Sequence, residues 1–175
     1  MPRSCSGDTV RDPALGAVRV MTTHLDFYSK RQRMAQAQAL RASHGQACAQ
    51  AAAPPQASSD GSPFQSKAHP AHAVLRGDFN FEAREPEHAA ICAPAGADDS
   101  DEAPHGPRLW DSWRLLHADA PQPPTFRLYD RTYGPEPVAC DFVFVSDSLK
   151  GRVQRFGVDA ATQASDHQPV AVLIG

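Results

Sequence analysis

Six polar residues stand where hydrophobic runs begin or end. His24 closes the run AVRVMTT, Asp78 and Asn80 follow AVLRG, Asp141 opens DFVFVS, and Asp166 and His167 precede PVAVLI. If these runs are neighbouring strands, their ends meet at one rim. The chemistry such a rim supports is attack of water on a phosphate ester. A phosphodiester resists hydrolysis because its anionic oxygens repel the nucleophile, so a site needs a divalent cation, donors to the nonbridging oxygens and a base for water. Carboxylates hold hard cations through oxygen, an amide NH₂ donates to a phosphoryl oxygen, and imidazole carries a proton near neutral pH. An Asp hydrogen-bonded to a His also fixes the ring's tautomer and stabilises its charged form.

Each cluster alone has a plainer reading. Gly77 to Asn80 has the composition of a turn, with Asn80 capping a single helical turn over 81–85 that Pro86 ends. Ser165 to His167 also reads as a turn, His24 as a surface or structural histidine, and Asp141 as a strand start. Independent turns have no reason to select this combination together, and the combination favours the rim.

The elements that must position these residues follow from periodicity. Residues 17–23 alternate as a strand, with Val18, Val20 and Thr22 on one side. Ser29 is placed as the N-cap of a helix running to about Gln50, with Met34, Ala37, Leu40 and Ala47 near one face and Arg31, Arg33 and Arg41 towards solvent. Residues 73–76 form a short buried strand broken by Gly77. Leu109, Trp113 and Leu116 have helical spacing over 109–117, and the prolines at 121, 123 and 124 forbid continuation. Residues 141–146 read as a buried strand, 169–174 as the final strand, and 153–158 as a strand able to pair with 141–146.

Two tracts stand apart. Residues 46–72 are dominated by Ala, Gln, Ser and Pro, too few large apolar side chains to offset ordering, and 93–107 carry the acidic run DDSDE. Both are expected to be flexible insertions in one domain spanning 1–175. The sequence has 175 residues, 41% hydrophobic and 21% charged, which suffices for one core, while 16 Pro point to long connections.

The net charge of −3 gives no global positive field for a polyanion. Arg outnumbers Lys, and Arg127, Arg131, Arg152 and Arg155 are available for a local groove, as ordinary surface charge is for any of them. Phe126, Tyr129 and Tyr133 offer stacking faces, with core packing the plainer reading. Cys5, Cys48, Cys92 and Cys140 form no CxxC pair, which speaks against a zinc module or disulfide framework and for a reducing, cytoplasmic setting. His44 and Cys48 lie one helical turn apart with His69 and His72 downstream, but their low-complexity surroundings do not make a metal centre. No run has the length of a membrane span or a secretory signal core.

On TTHL, GDFNF, DFVFVS and SDHQPV, from about Val18 to Leu173, the sequence resembles the endonuclease/exonuclease/phosphatase family, whose members include deoxyribonuclease I-like nucleases. The resemblance implies a four-layer α/β/β/α sandwich and divalent-metal-dependent hydrolysis of a phosphodiester, in nucleic acid or phospholipid. It implies that Asp78 orients or deprotonates water, that Asn80 contacts the phosphoryl group, and that Asp166 helps hold Mg²⁺ or Mn²⁺. His167, paired with Asp141, handles the proton or stabilises charge, and His24 stands where a second histidine meets the phosphate.

The family's pattern also includes a metal-binding Asn and Glu on strands preceding the THL strand. Only residues 1–17 precede it here, and no Glu occurs before Glu82. The expectation is therefore the C-terminal part of the domain, poorly stable alone, with exposed strand edges and inner-sheet surface. The alternative expectation is a catalytically inactive remnant that binds a phosphate ligand or partner. No specific protein partner is indicated.

Overall fold

The strand over 17–23 extends to Gly16–His24 and pairs on both sides. A computed structural model describes residues 5–54, 69–96 and 106–175. The chain runs β1 (Cys5–Asp12), β2 (Gly16–His24), α1 (Lys30–Ala52), β3 (His72–Asp78), α2 (Pro86–Cys92), β4 (Leu109–Asp111), α3 (Ser112–His117), β5 (Asp141–Ser146), β6 (Val153–Val158) and β7 (Val170–Ile174). Five strands form one sheet in the order β1-β2-β3-β5-β4, and β6 and β7 form a second.

The β1–β2 hairpin has no counterpart among the sequence expectations. Its turn is nevertheless written locally: Asp12 Oδ1 accepts from the backbone N–H groups of Ala14 and Leu15 at 2.8 and 2.9 Å, and Gly16 takes a φ of 75°. Between β2 and β3 the pairing is parallel, which requires a crossover, and α1 supplies it. Ser29 caps α1 by accepting from Gln32 N at 3.2 Å, as its position suggests.

Helix α1 continues to Ala52, through the first residues assigned to the insertion over 46–72. Much of that tract, and much of 93–107, lies outside the described residues. Arg33 and Arg41 are buried, not solvent-facing. Helix α2 packs against α1, and the two guanidinium groups reach across to it. Arg33 Nε donates to Glu87 Oε1 at 3.3 Å, and Arg41 Nη1 donates to the Ala90 carbonyl at 3.4 Å.

Three further elements differ from expectation. Residues 109–117 split into β4 and α3 because Asp111 stops the strand and caps the helix, its Oδ1 accepting from Trp113 N at 2.8 Å. Pro86 opens α2, where its missing N–H costs nothing, so it starts a helix rather than ending one at 81–85. The 3-10 turn Lys150–Arg152 carries the chain out of the large sheet, and β6 pairs with β7 instead of β5.

Two apolar clusters are formed among the described residues. The first lies between the large sheet and α1 and α2, and includes Met21, Leu40, Leu75, Phe79, Phe81, Ile91, Phe142 and Phe144. Phe79 meets Phe144 edge-on with centroids 5.1 Å apart, a favourable aromatic geometry. The second joins the opposite sheet face to β6 and β7 through Val18, Val145 and Val153, with Val172 and Ile174 packed against them. Two sheets therefore face each other with helices outside the larger one, the layering of an α/β sandwich. Val10 on β1 and Leu173 on β7 remain more than half exposed, at 53% and 55%. Among the described residues, no helix is long and apolar enough to cross a membrane.

Candidate active site

Strand register brings three of the six residues abreast. His24 pairs with Asp78 across β2 and β3, and Asp78 pairs with Asp141 across β3 and β5. The first two are strand C-termini and the third an N-terminus, so all three emerge at one rim. Backbone hydrogen bonds carry the ladder past the strand ends: Leu25 N donates to Asp78 O at 3.0 Å, and Phe79 N to Cys140 O at 2.9 Å.

Gly77 permits the close approach behind this rim. Its φ is 146°, and a Cβ there would lie 1.9 Å from the Thr23 carbonyl oxygen. The glycine is therefore a requirement of the strand, not its break point. Asn80 adopts a left-handed φ of 52°, a conformation Asn tolerates better than most residues. Its N–H donates to Asp78 Oδ1 at 2.9 Å, and its side-chain Nδ2 donates to the Leu25 carbonyl at 2.9 Å. It shapes the turn rather than capping a helix, and its amide nitrogen carries a second hydrogen beyond the one given to Leu25.

His167 reaches the rim from the loop before β7. An isolated bridge to Phe126, a bond from Gln168 N to Thr125 O at 2.6 Å and a stacked Phe126 ring 4.5 Å away hold it. Its Nδ1 faces Asp141 Oδ2 at 2.9 Å, and a carboxylate acceptor there leaves the proton on Nδ1. Nε2 then points towards Asp78 Oδ2 at 3.9 Å, while His24 Nε2 lies 3.6 Å from the same oxygen. One carboxylate oxygen thus stands between two imidazoles.

The electrostatics follow from this crowding. Burial pushes the Asp78 carboxyl above its ordinary range and Asp141's charge adds to it, against the lowering effect of Asn80 N and the two histidines. The hydrogen bond to Asp141 raises His167 above the usual imidazole value, with the charges of Asp141, Asp78 and Asp166 in support and burial opposing. Both shifts favour the protonated form of the group concerned.

Asp166 does not join this contact set. Its backbone carbonyl accepts from Arg127 N at 3.0 Å, its Oδ1 takes the Ser165 hydroxyl at 3.3 Å, and its charge reaches His167. Among the described residues it forms no ion pair. An ion such as Mg²⁺ keeps several waters and needs one or two protein carboxylates besides substrate oxygens, and Asp166 offers one. The donor set fits that mode of binding and not an all-protein cage. Among the described residues, the group of three possible ligands that converges is Cys140, Asp141 and His167, whose donor atoms lie within 4.8 Å of one another. It does not suit Mg²⁺, because a thiol is a soft ligand. Among the described residues, His44 and His72 belong to no such group: His44 accepts from Arg19 Nη2 at 3.1 Å, and His72 meets Ser148 Oγ at 2.7 Å.

Thr125 and Cys140 belong to the site and went unread in the sequence. The Thr125 Oγ1 accepts from Cys140 N at 3.2 Å and from Asp141 N at 3.1 Å, while its carbonyl holds Gln168. One buried threonine therefore ties both halves of the Asp141 and His167 pair, but a single Thr leaves no pattern to find. Beside the rim is a cleft of about 160 Å³ lined by Phe27, Asn80, Phe126, Arg127 and Cys140 among others. Arg127 lines it and sits 5.1 Å over the Phe126 ring, while Arg131, Arg152 and Arg155 do not line it. A larger cavity of about 680 Å³ between α2 and β4 contains none of the six candidates.

No protein-family model matches the chain, and no curated protein matches it in sequence. Solved structures do match. A mannosyl-6-phosphatase from Bacteroides thetaiotaomicron is 22% identical with a TM-score of 0.58, the match covering 98% of this chain and 56% of the other. An endonuclease/exonuclease/phosphatase family protein from the same organism is 21% identical with a TM-score of 0.60, over 96% and 54%. The human Nocturnin catalytic domain, solved with a bound sulfate anion, is 16% identical with a TM-score of 0.54, over 96% and 52%. The chain spans about half the length of these structures. With its strand-end Asp, Asn and His residues gathered at one rim, the chain has the fold of the endonuclease/exonuclease/phosphatase proteins.

Proposed function

We propose that the chain carries the hydrolytic half of a divalent-metal-dependent phosphoesterase that cleaves a phosphodiester, of nucleic acid or phospholipid type, by in-line attack of water. The observation that supports it most is that His24 and His167 both face Asp78 Oδ2, at 3.6 and 3.9 Å, while Asp141 holds the His167 ring.

In this reading Asp78 Oδ2 orients the attacking water and accepts its proton. The second amide hydrogen of Asn80 and the exposed His24 ring donate to nonbridging oxygens. His167, kept in its Nδ1–H tautomer by Asp141, presents Nε2 to the reacting group and stabilises charge or passes a proton there. Asp166 would hold Mg²⁺ or Mn²⁺, which when bound neutralises charge on the phosphoryl oxygens. The phosphate ester is the partner, nucleic acid included. The cysteines described are free, in keeping with a cytoplasmic setting.

Hydrolysis of bis(p-nitrophenyl) phosphate in Mg²⁺ or Mn²⁺, compared among wild type, Asp78→Ala and His167→Ala, tests the proposal. Metal-dependent turnover lost in both variants supports it, and turnover that survives both overturns it. A second reading, phosphate binding without turnover, is favoured by Asp166 standing outside the contact set of Asp78, Asp141 and His167. Phosphate binding by the wild type in calorimetry, with no hydrolysis under any metal, would establish that reading instead.

A further inference from the structure

Cys140 takes no part in the hydrolytic scheme, yet its thiol points into the site. Sγ lies 3.7 Å from Asp141 Oδ2, which in turn lies 2.9 Å from His167 Nδ1. Cys140 is 4% exposed, and the Thr125 hydroxyl holds its N–H and that of Asp141 together. Phe126 stacks on His167 from the other side. The three donors are therefore preset by a shared support rather than by mobile surface side chains.

Their chemistry and spacing suit a particular ion. Zn²⁺ takes sulfur, nitrogen and carboxylate oxygen tetrahedrally at bond lengths that place ligand atoms about 3.3–3.8 Å apart. The observed separations bracket this range, all within 4.8 Å. Thiolate and imidazole select such ions over Mg²⁺, whose preference is for oxygen. Asp141 and Asp78 beside the thiol give a dication the negative surroundings that a neutral packing cluster would not need.

We propose that Cys140, Asp141 and His167 form a site for a thiophilic divalent ion of the Zn²⁺ kind, separate from the hard cation expected at Asp166. A solvent molecule completes the tetrahedron. On binding, the Cys140 Sγ–H bond breaks and its proton leaves to solvent; His167 gives its Nδ1 proton to solvent and carries one at Nε2 instead, and the Asp141 to His167 hydrogen bond is replaced by two metal bonds. No oxidation or reduction is involved. The consequence for turnover rests on the phosphoesterase reading: with both members of the pair bound to zinc, His167 no longer serves the phosphate and hydrolysis stops. Metal binding itself does not depend on that reading.

Cobalt(II) serves as the spectroscopic probe for zinc. Titrating the 175-residue chain with Co²⁺ is expected to produce a thiolate-to-cobalt charge-transfer band that added Zn²⁺ abolishes. Cys140→Ser and His167→Gln should each weaken Co²⁺ affinity roughly 100-fold or more, whereas Cys48→Ser and Cys92→Ser should leave the band intact. Circular dichroism checks folding, and Cys140→Ala replaces the serine variant if that one unfolds. A wild type without the band, or a band that survives loss of Cys140, overturns the site. If the chain is hydrolytic, zinc should inhibit it and Cys140→Ala should relieve the inhibition. A zinc-loaded protein that turns over normally overturns the inhibitory consequence.

Discussion

His167 Nδ1 lies 2.9 Å from Asp141 Oδ2 although the two residues are 26 positions apart, and this bond decides which ring nitrogen faces the rim. Asp141 is the first residue of β5 and register partner of Asp78, so one carboxylate orients the histidine while its neighbour across the strands stands opposite Nε2. The pair works only if both strands and the β7 approach are correctly docked.

Asp141→Asn keeps the shape but exchanges the carboxylate for a neutral amide, whose NH₂ donates to Nδ1 and favours the other tautomer. The expected outcome is a loss in kcat of about 10²–10⁴ with little change in KM. That bond is also the largest cause of His167's raised pKa, so its removal should lower the value. The histidine limb of the pH–rate profile, and the ring's NMR titration, should both move to lower pH. An unmoved limb would assign the titration to another group.

Asp78→Asn should separate function from stability. The raised folded-state pKa means that the folded protein binds the Asp78 proton more readily than the unfolded chain, whose value is near 3.8. Its contribution to stability is therefore fully present below that pH and is lost as pH rises through the folded value, leaving a penalty at neutrality. Asparagine removes the penalty and can still accept from Asn80 N. The melting temperature at pH 7 should rise by roughly 2–4 °C for each kcal/mol recovered, while hydrolysis is lost. A variant that melts lower would refute the electrostatic account.

The strand ends that carry Asp, Asn and His were legible from residue type and hydrophobic runs, whereas the register that sets His24, Asp78 and Asp141 abreast comes from the strand pairing itself. What failed were features that act across the fold. Arg33 and Arg41 have the periodicity of exposed residues, and only the Glu87 and Ala90 partners on α2 explain their burial. Val153 to Val158 follows β5 so closely that a hairpin is the natural reading, yet the turn at Lys150–Arg152 sends it into another sheet. Thr125 and Cys140 act through single hydrogen bonds and contacts to distant backbone, which no local spacing records.

His44 makes an acid-range prediction far from the rim. It is 2% exposed, and Arg19 Nη2 donates to its Nδ1 at 3.1 Å, so the folded state holds it neutral. Burial, then Arg19's charge, lowers its pKa from 6.5 to about 4. The unfolded chain gains the proton first as pH falls, so stability present above pH 6.5 should be lost between 6.5 and 4, by on the order of 3 kcal/mol. His167 acts oppositely, its raised value removing stability as pH rises above the imidazole range. Urea unfolding followed by Trp110 and Trp113 fluorescence would show the acid loss, and His44→Gln should flatten it. A slope unchanged in that variant would place the loss elsewhere.

Gly77→Ala tests whether the strand register itself builds the site. A Cβ at this position would sit 1.9 Å from Thr23 O, and a φ of 146° is strained for alanine as well. Rotation of one small side chain cannot relieve this, because the opposing atom is backbone. Strand β2 must move away from β3 where Thr23 pairs with Gly77, and the next pair, His24 with Asp78, moves with it. The cost should be roughly 2–5 kcal/mol, with hydrolysis lost even where the protein remains folded. Gly16→Ala is the matched control: its φ is 75°, but nothing lies within 4 Å of the added Cβ. It should cost only about 1–2 kcal/mol of backbone strain and leave the rim intact. Equal losses of activity in the two variants would mean that general destabilisation, not the separation of His24 from Asp78, disables the site.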